Sequence, residues 1–304
     1  MNIADDDSAL WALSTSKTQR TEALEQVAQR IADAYGSQPK LLALAVAGSV
    51  GAGLADSWSD LEIDCYWEDA PTREDRTAPI ARLGADLTTM WEYDEDDREW
   101  SEDYILDGLP VTVSNFRTAT IEEFLDAVVD RIDFDRIKHF RLAALRRSRP
   151  LRGEELLSGW RRRAEAYPDA LLRASLEQTL RPGGVPGWNA RAALVERDDV
   201  IAVRTLLAAV AERVFRATLA INRIYCPHGL TKWQHALLDE CRILPADFAT
   251  RLEGMWHPEP RVALAHAEAL LLSTLDLAES ELDTTLTGIR RELLDGRSRA
   301  PADG

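Results

Sequence analysis

From Asp60 to Cys65 the chain alternates acid and apolar residues without a break: Asp60-Leu61-Glu62-Ile63-Asp64-Cys65. A period of two is the periodicity of a strand, so Leu61, Ile63 and Cys65 go to one face and Asp60, Glu62 and Asp64 to the other. Burial in a core accounts for the apolar set. It does not account for three successive carboxylates, which repel one another unless solvent or a cation lies between them. The residues just before sharpen the constraint. The apolar run Leu41 to Ala47 reads as a buried strand, stops at Gly48-Ser49, and leads through a loop or short helix near Asp56 to Ser59 and the alternating stretch.

The surroundings read as a small domain built around these two strands. Leu24, Val27, Ile31 and Ala34 recur at helical spacing between Thr18 and Ala34, with Gly36 as a stop. Pro71-Thr72 with Glu74 and Asp75 opens a helix that runs to about Leu83. Strands are expected over Asp86–Glu92, Asp103–Leu106 and Val111–Phe116, with Asp107-Gly108 as a tight turn between the last two. Thr120 with Glu123 reads as a capping box opening the next helix.

Beyond Gly153 the pattern changes. Glu154–Glu165, Ala170–Leu180, Asp199–Tyr225, Lys232–Cys241, Pro245–Met255, Arg261–Glu279 and Leu282–Leu294 all carry helical periodicity. The expected fold class is therefore α+β. A small mixed-sheet core over residues 1–150 is followed by an all-helical bundle over 151–296, and the tail 297–304 is expected to be disordered.

Composition narrows the partners. With 45% hydrophobic and 29% charged residues the chain is ordinary globular material, and its net charge of −16 disfavours a nucleic-acid partner. The N-terminal MNIADDDSALW is acidic where a signal peptide would be basic, and the longest uncharged run, Leu41 to Ala55, is too short for a membrane span. Cys65, Cys226 and Cys241 are odd in number and scattered, as expected of free thiols in the cytoplasm.

A Gly-Ser turn followed about ten residues later by alternating acids resembles the signature of the DNA polymerase β-type nucleotidyltransferases. The chemistry suits those residue types: glycine lets backbone approach a triphosphate, serine binds its oxygens, and paired carboxylates hold Mg²⁺ against the phosphates. The resemblance covers about Thr18 to Ala127. It implies Asp60 and Glu62 as metal ligands and catalytic residues, and Gly48, Ser49 and Ser59 as contacts to the nucleoside triphosphate.

A second motif, Asn222-Arg223-Ile224-Tyr225 followed by Lys232-Trp233, is similar to one associated with bacterial stand-alone nucleotidyltransferases of the aminoglycoside and lincosamide type. It implies that Asn222 and Tyr225 help bind the nucleotide and that Lys232 neutralises the departing charge. The competing reading has Asn222 and Tyr225 capping a helix before Pro227. The implied reaction is Mg²⁺-dependent transfer of a nucleoside monophosphate to a hydroxyl of a small molecule. A tRNA or protein acceptor, as in toxin-type relatives, and a catalytically impaired nucleotide-binding regulator are the alternatives. The regulator gains weight at Thr112, which stands where active relatives carry a third carboxylate; Glu196 or Asp198 is a candidate base from the helical half.

Other clusters carry less. Cys226, His228, His235 and Cys241 lack the usual zinc spacings, and His139, His257 and His266 have no triad partner at motif spacing. Trp91, Tyr93, Trp100 and Tyr104, interleaved with acids, suit a cationic acceptor or simply an acidic solvated loop. Arg146-Arg147-Ser148-Arg149 and Arg161-Arg162-Arg163 fit a phosphate-facing patch and a surface helix equally well.

Overall fold

The computed structural model describes residues 14–36, 38–181, 184–227 and 232–294; the expected disordered tail, 297–304, lies outside them. The chain forms two compact units, residues 1–131 with 135–166, and residues 132–134 with 167–304.

The first unit is built on six strands: β1 (Leu41–Val46), β2 (Leu61–Trp67), β3 (Asp86–Asp94), β4 (Glu99–Leu106), β5 (Leu109–Arg117) and β6 (Arg149–Arg152). They lie in the order β3-β4-β5-β2-β1-β6. Only β2 and β5 run parallel, so the sheet is mixed. Helices α1 (Ser14–Tyr35), α2 (Gly48–Gly51), α3 (Arg73–Leu83), α4 (Thr118–Leu125), α5 (Arg136–Arg147) and α6 (Glu154–Glu165) complete it. Leu24, Ala28, Ile31 and Tyr35 of α1 and Ile80 of α3 form one core with Leu61, Ile63, Cys65 and Trp67 of β2 and with Val111 and Val113 of β5.

Local chemistry sets most of these boundaries. Thr72 caps α3 in a reciprocal box with Asp75, as the sequence suggests. Asp107 (φ 53°) and Gly108 (φ 80°) make a two-residue turn of the kind that suits tight hairpins, joining β4 to β5. The capping box expected at Thr120 and Glu123 does not form. Helix α4 begins two residues earlier, Thr120 is buried at 1% exposure, and Glu123 instead pairs with Arg98 at 2.8 Å. Packing of α4 onto the sheet outweighs the local cap there.

The second unit is helical: α7 (Asp169–Leu180), α8 (Arg191–Glu196), α9 (Val200–Ile221), α10 (Gln234–Asp239), α11 (Phe248–Gly254), α12 (Pro260–Leu282) and α13 (Thr287–Leu294). Helix α9 packs against α7 and α12, presenting Val203, Leu206, Leu207, Val210 and Val214, a stripe at helical spacing. It stops at Ile221, four residues before the expected end, where Arg223 takes a left-handed φ of 58°. Among the described residues no helix is long and apolar enough to cross a membrane.

Candidate active site

The loop between β1 and β2 brings the Gly-Ser turn and the acid pair together. Ala47 N–H donates to the Glu62 carbonyl at 2.9 Å, closing the end of the β1–β2 ladder. Gly48 then turns the chain with a φ of +57°, and a Cβ built there would lie 2.5 Å from the Glu62 carboxyl carbon. With Glu62 where it stands, a side chain at this left-handed position would push the carboxylate aside. Ser49 follows, partly exposed, and Asp60 and Glu62 are both exposed while Leu61 and Ile63 are buried. Ser59 supports the approach to β2: its hydroxyl donates to Asp56 Oδ1 at 3.0 Å and accepts from Asp56 N–H at 2.9 Å.

Asp64 departs from this pattern. It lies on the Glu62 face yet is 4% exposed, because the far half of that face is covered. Trp160 of α6 packs edge-on to Tyr66, and Arg141 of α5 stacks 4.6 Å over Phe116. Tyr66 donates its hydroxyl to Asp64 at 3.2 Å. Arg141 also pairs with Glu99, which Ser114 approaches at 3.4 Å. Burial raises the Asp64 carboxyl above its ordinary value against the pull of Arg141 and the Tyr66 hydroxyl. Burial likewise pushes Glu99 up to about 7, with Arg141 opposing and Asp64 adding to the rise. The acidic row thus has an open end at Asp60 and Glu62 and a closed end at Asp64 and Glu99.

The Glu99 shift has a consequence for stability. Between its ordinary 4.5 and about 7 the folded chain holds a proton that the unfolded chain has released. Stability therefore falls as pH rises through that window, by at most about 3 kcal/mol. The urea midpoint of the wild type should drop between about pH 5 and pH 8, and that of Glu99→Gln should drop less. Parallel curves for the two proteins would show that Glu99 titrates normally.

The register shows what stands beside Glu62, where the resemblance implies a third carboxylate. Glu62 lies beside Thr112 on β5, and Thr112 lies beside Asp103 on β4. The Thr112 hydroxyl donates to Asp103 Oδ1 at 2.7 Å, and Trp91 Nε1 donates to the other oxygen at 3.3 Å. One row across three strands therefore reads Glu62, Thr112, Asp103, and the acid absent from β5 has a neighbour on β4. The segment from Trp91 to Tyr104 is correspondingly a β3–β4 hairpin and not a solvated loop. Its residues divide between the faces: Glu102 and Tyr104 are buried in the core, whereas Trp91 is 57% exposed. Among the described residues no three His, Cys, Asp or Glu side chains cluster as a metal site, so a cation here would rest on Asp60 and Glu62 with other oxygen donors.

In the helical unit Asn222 is engaged in structure. Its amide nitrogen donates to Thr218 and Ile243 carbonyls at 2.8 Å each, and its oxygen accepts from the Arg242 and Ile243 N–H groups. Tyr225 is buried against Tyr167 with ring centroids 4.9 Å apart. Lys232 is exposed in a turn. Glu196 pairs with Arg261, and Asp198 takes a φ of 55°. His228 lies outside the described residues.

The basic clusters are likewise largely spent on structure. Arg149 bonds Glu25 and the Gly51 carbonyl, and Arg161 caps the end of α5 through the Leu145 and Ser148 carbonyls. Arg163 clamps Glu122, Asp126 and Asp130.

The chain matches, over residues 135–234, the model of a family described as a domain of unknown function (DUF4037). That match spans a third of the sequence and begins after the acid pair. Among curated proteins none matches. Among solved structures the chain is similar to a nucleotidyltransferase-like protein from Exiguobacterium sibiricum. The identity is 12% and the TM-score 0.38, with 85% of this chain and 78% of that chain covered. A likeness of that size leaves the argument to the residues themselves.

Proposed function

We propose that the first unit binds a nucleoside triphosphate with Mg²⁺ beside β1 and β2 and transfers the nucleoside monophosphate to a hydroxyl of a small molecule. The observation that carries this reading is the contact of Gly48 with Glu62, which sets a side-chain-free turn against an exposed acid. Gly48 and Ser49, with Ser59 at the entry to β2, would face the phosphates. Asp60 and Glu62 are hard oxygen donors that fit Mg²⁺, which neutralises phosphate charge when bound. In the transfer the acceptor oxygen bonds to the α-phosphorus, the bond to the bridging oxygen breaks, and pyrophosphate leaves. The acceptor proton passes to a carboxylate, for which the row offers Asp103. From its motif Lys232 is the residue proposed to meet triphosphate charge, whereas Asn222 and Tyr225 are committed to packing within the helical unit. The open acidic row and the exposed Trp91 favour a cationic acceptor.

A second reading, a nucleotide binder impaired in catalysis, is favoured by one observation: a hydroxyl tied to Asp103 stands where the β5 carboxylate is expected. One set of measurements separates the two. Calorimetry with a non-hydrolysable triphosphate should show Mg²⁺-dependent binding that Asp60→Ala and Glu62→Ala each weaken by about 100-fold. Pyrophosphate release with candidate acceptors then marks the transferase. Binding without release, gained on Thr112→Asp, marks the impaired binder. Unchanged binding in both alanine variants would remove the site altogether.

A further inference from the structure

The helical unit contains a cavity of about 220 Å³ lined by Trp188, Arg191, Glu268, Leu271, Leu272 and Leu293. Among the described residues its one cation, Arg191, is unusually placed. Arg191 is 8% exposed and lies 4.4 Å over the Trp188 ring. Its Nε donates to Glu268 at 2.5 Å, Nη1 to the Trp188 carbonyl at 3.0 Å, and Nη2 to the Leu293 carbonyl at 3.4 Å. A guanidinium has five N–H donors. Three are accounted for, and the remaining two, one on each terminal nitrogen, meet no acceptor among the described residues. Leaving donors of a buried cation unsatisfied is costly. The counter-ion is partly solvated, since the Glu268 side chain is 40% exposed.

We infer that this cavity binds a small carboxylate with an apolar body, its oxygens on Arg191 and its body among the leucines and Trp188. Arginine takes carboxylates in pairs of parallel hydrogen bonds, which matches the two spare donors. A dianion is disfavoured, because among the described residues Arg191 is the only cation in the lining and Glu268 already pairs with it. Size sets the body: a cavity of about 150 Å³ holds benzene. The present one therefore accommodates a single ring or short branched chain with its carboxylate, and excludes a nucleotide.

Benzoate is the probe, titrated into the full chain by calorimetry against benzamide, its neutral counterpart. Benzoate should bind with Kd of about 0.1–1 mM and benzamide at least about ten-fold more weakly. Glu268→Gln removes the competing anion and should tighten benzoate about three-fold or more. Leu272→Trp fills the space and should abolish binding. Equal binding of benzoate and benzamide, no binding up to about 10 mM, or benzoate affinity untouched by Glu268→Gln and Leu272→Trp would each overturn the inference. A dipeptide ending in phenylalanine that binds as tightly as benzoate would overturn the size argument.

Discussion

Replacing Arg76 by methionine is expected to destabilise the first unit by about 3–5 kcal/mol, the cost of removing one partner of a buried ion pair. Arg76 on α3 and Glu102 on β4 have side chains 2% and 0% exposed, and they pair through Arg76 Nε. The guanidinium also holds two backbone carbonyls, of Trp91 at 2.6 Å and Ser101 at 3.2 Å. Behind Glu102 the chain of contacts continues: Asn115 Nδ2 donates to Glu102 at 2.7 Å, and Trp67 Nε1 donates to Asn115 Oδ1 at 2.9 Å. Five elements, α3, β3, β4, β5 and β2, thus meet on one polar thread. Burial raises the Glu102 carboxyl, and Arg76 is what holds it down.

Without Arg76 the acid must take up a proton or remain as an uncompensated charge, and two carbonyls lose their donor. The urea midpoint should fall accordingly, and the thermal midpoint by roughly 10 °C for a unit of this size. Adding Glu102→Gln to Arg76→Met should recover part of the loss. The amide is neutral and still accepts from Asn115, so the double variant is expected to be more stable than the single one. A loss below about 1 kcal/mol in Arg76→Met would mean that water replaces the guanidinium.

This network marks where sequence reasoning ends. In the sequence Arg76 is one more charge in a charged helix start, and Glu102 one more acid in an acidic run. Only the pairing of β4 with β5 and the seat of α3 turn both inward. Features set by neighbouring residues were legible: the strand at β2, the helix start at Pro71-Thr72 and the turn at Asp107-Gly108.

Other features are written locally yet masked by their surroundings. Asp135 caps α5 by accepting from Lys138 N–H at 3.1 Å, and Leu142, Ala143 and Leu145 form its buried face, yet the basic residues around them mask the stripe. Strand β6 is short and contains Pro150, so its place at the edge beside β1 depends on long-range pairing alone. Asp103 was within reach. A two-residue turn at 107–108 fixes Leu106 opposite Leu109, and counting back along both strands sets Asp103 opposite Thr112. The acid beside the expected gap follows from the turn chemistry alone.

Gly48→Ala is the substitution that tests the proposed site most sharply. Two effects coincide there. The left-handed backbone costs a non-glycine residue about 1–2 kcal/mol, and the new methyl meets the Glu62 carboxyl group. The carboxylate is the far end of a flexible side chain, so it moves aside and the fold survives. If Glu62 holds Mg²⁺ against the triphosphate, that displacement should weaken Mg²⁺-dependent binding by about 100-fold, which corresponds to about 2.7 kcal/mol, while stability falls by only about 1–2 kcal/mol. The pair should also be non-additive: Gly48→Ala on a Glu62→Ala background should weaken binding much less than on the wild type, because the acid it displaces is already gone. Full additivity would mean that Gly48 serves the phosphates independently of Glu62. Wild-type affinity in Gly48→Ala, with its stability lowered as expected, would mean that the glycine answers only to the turn and that the nucleotide site lies elsewhere.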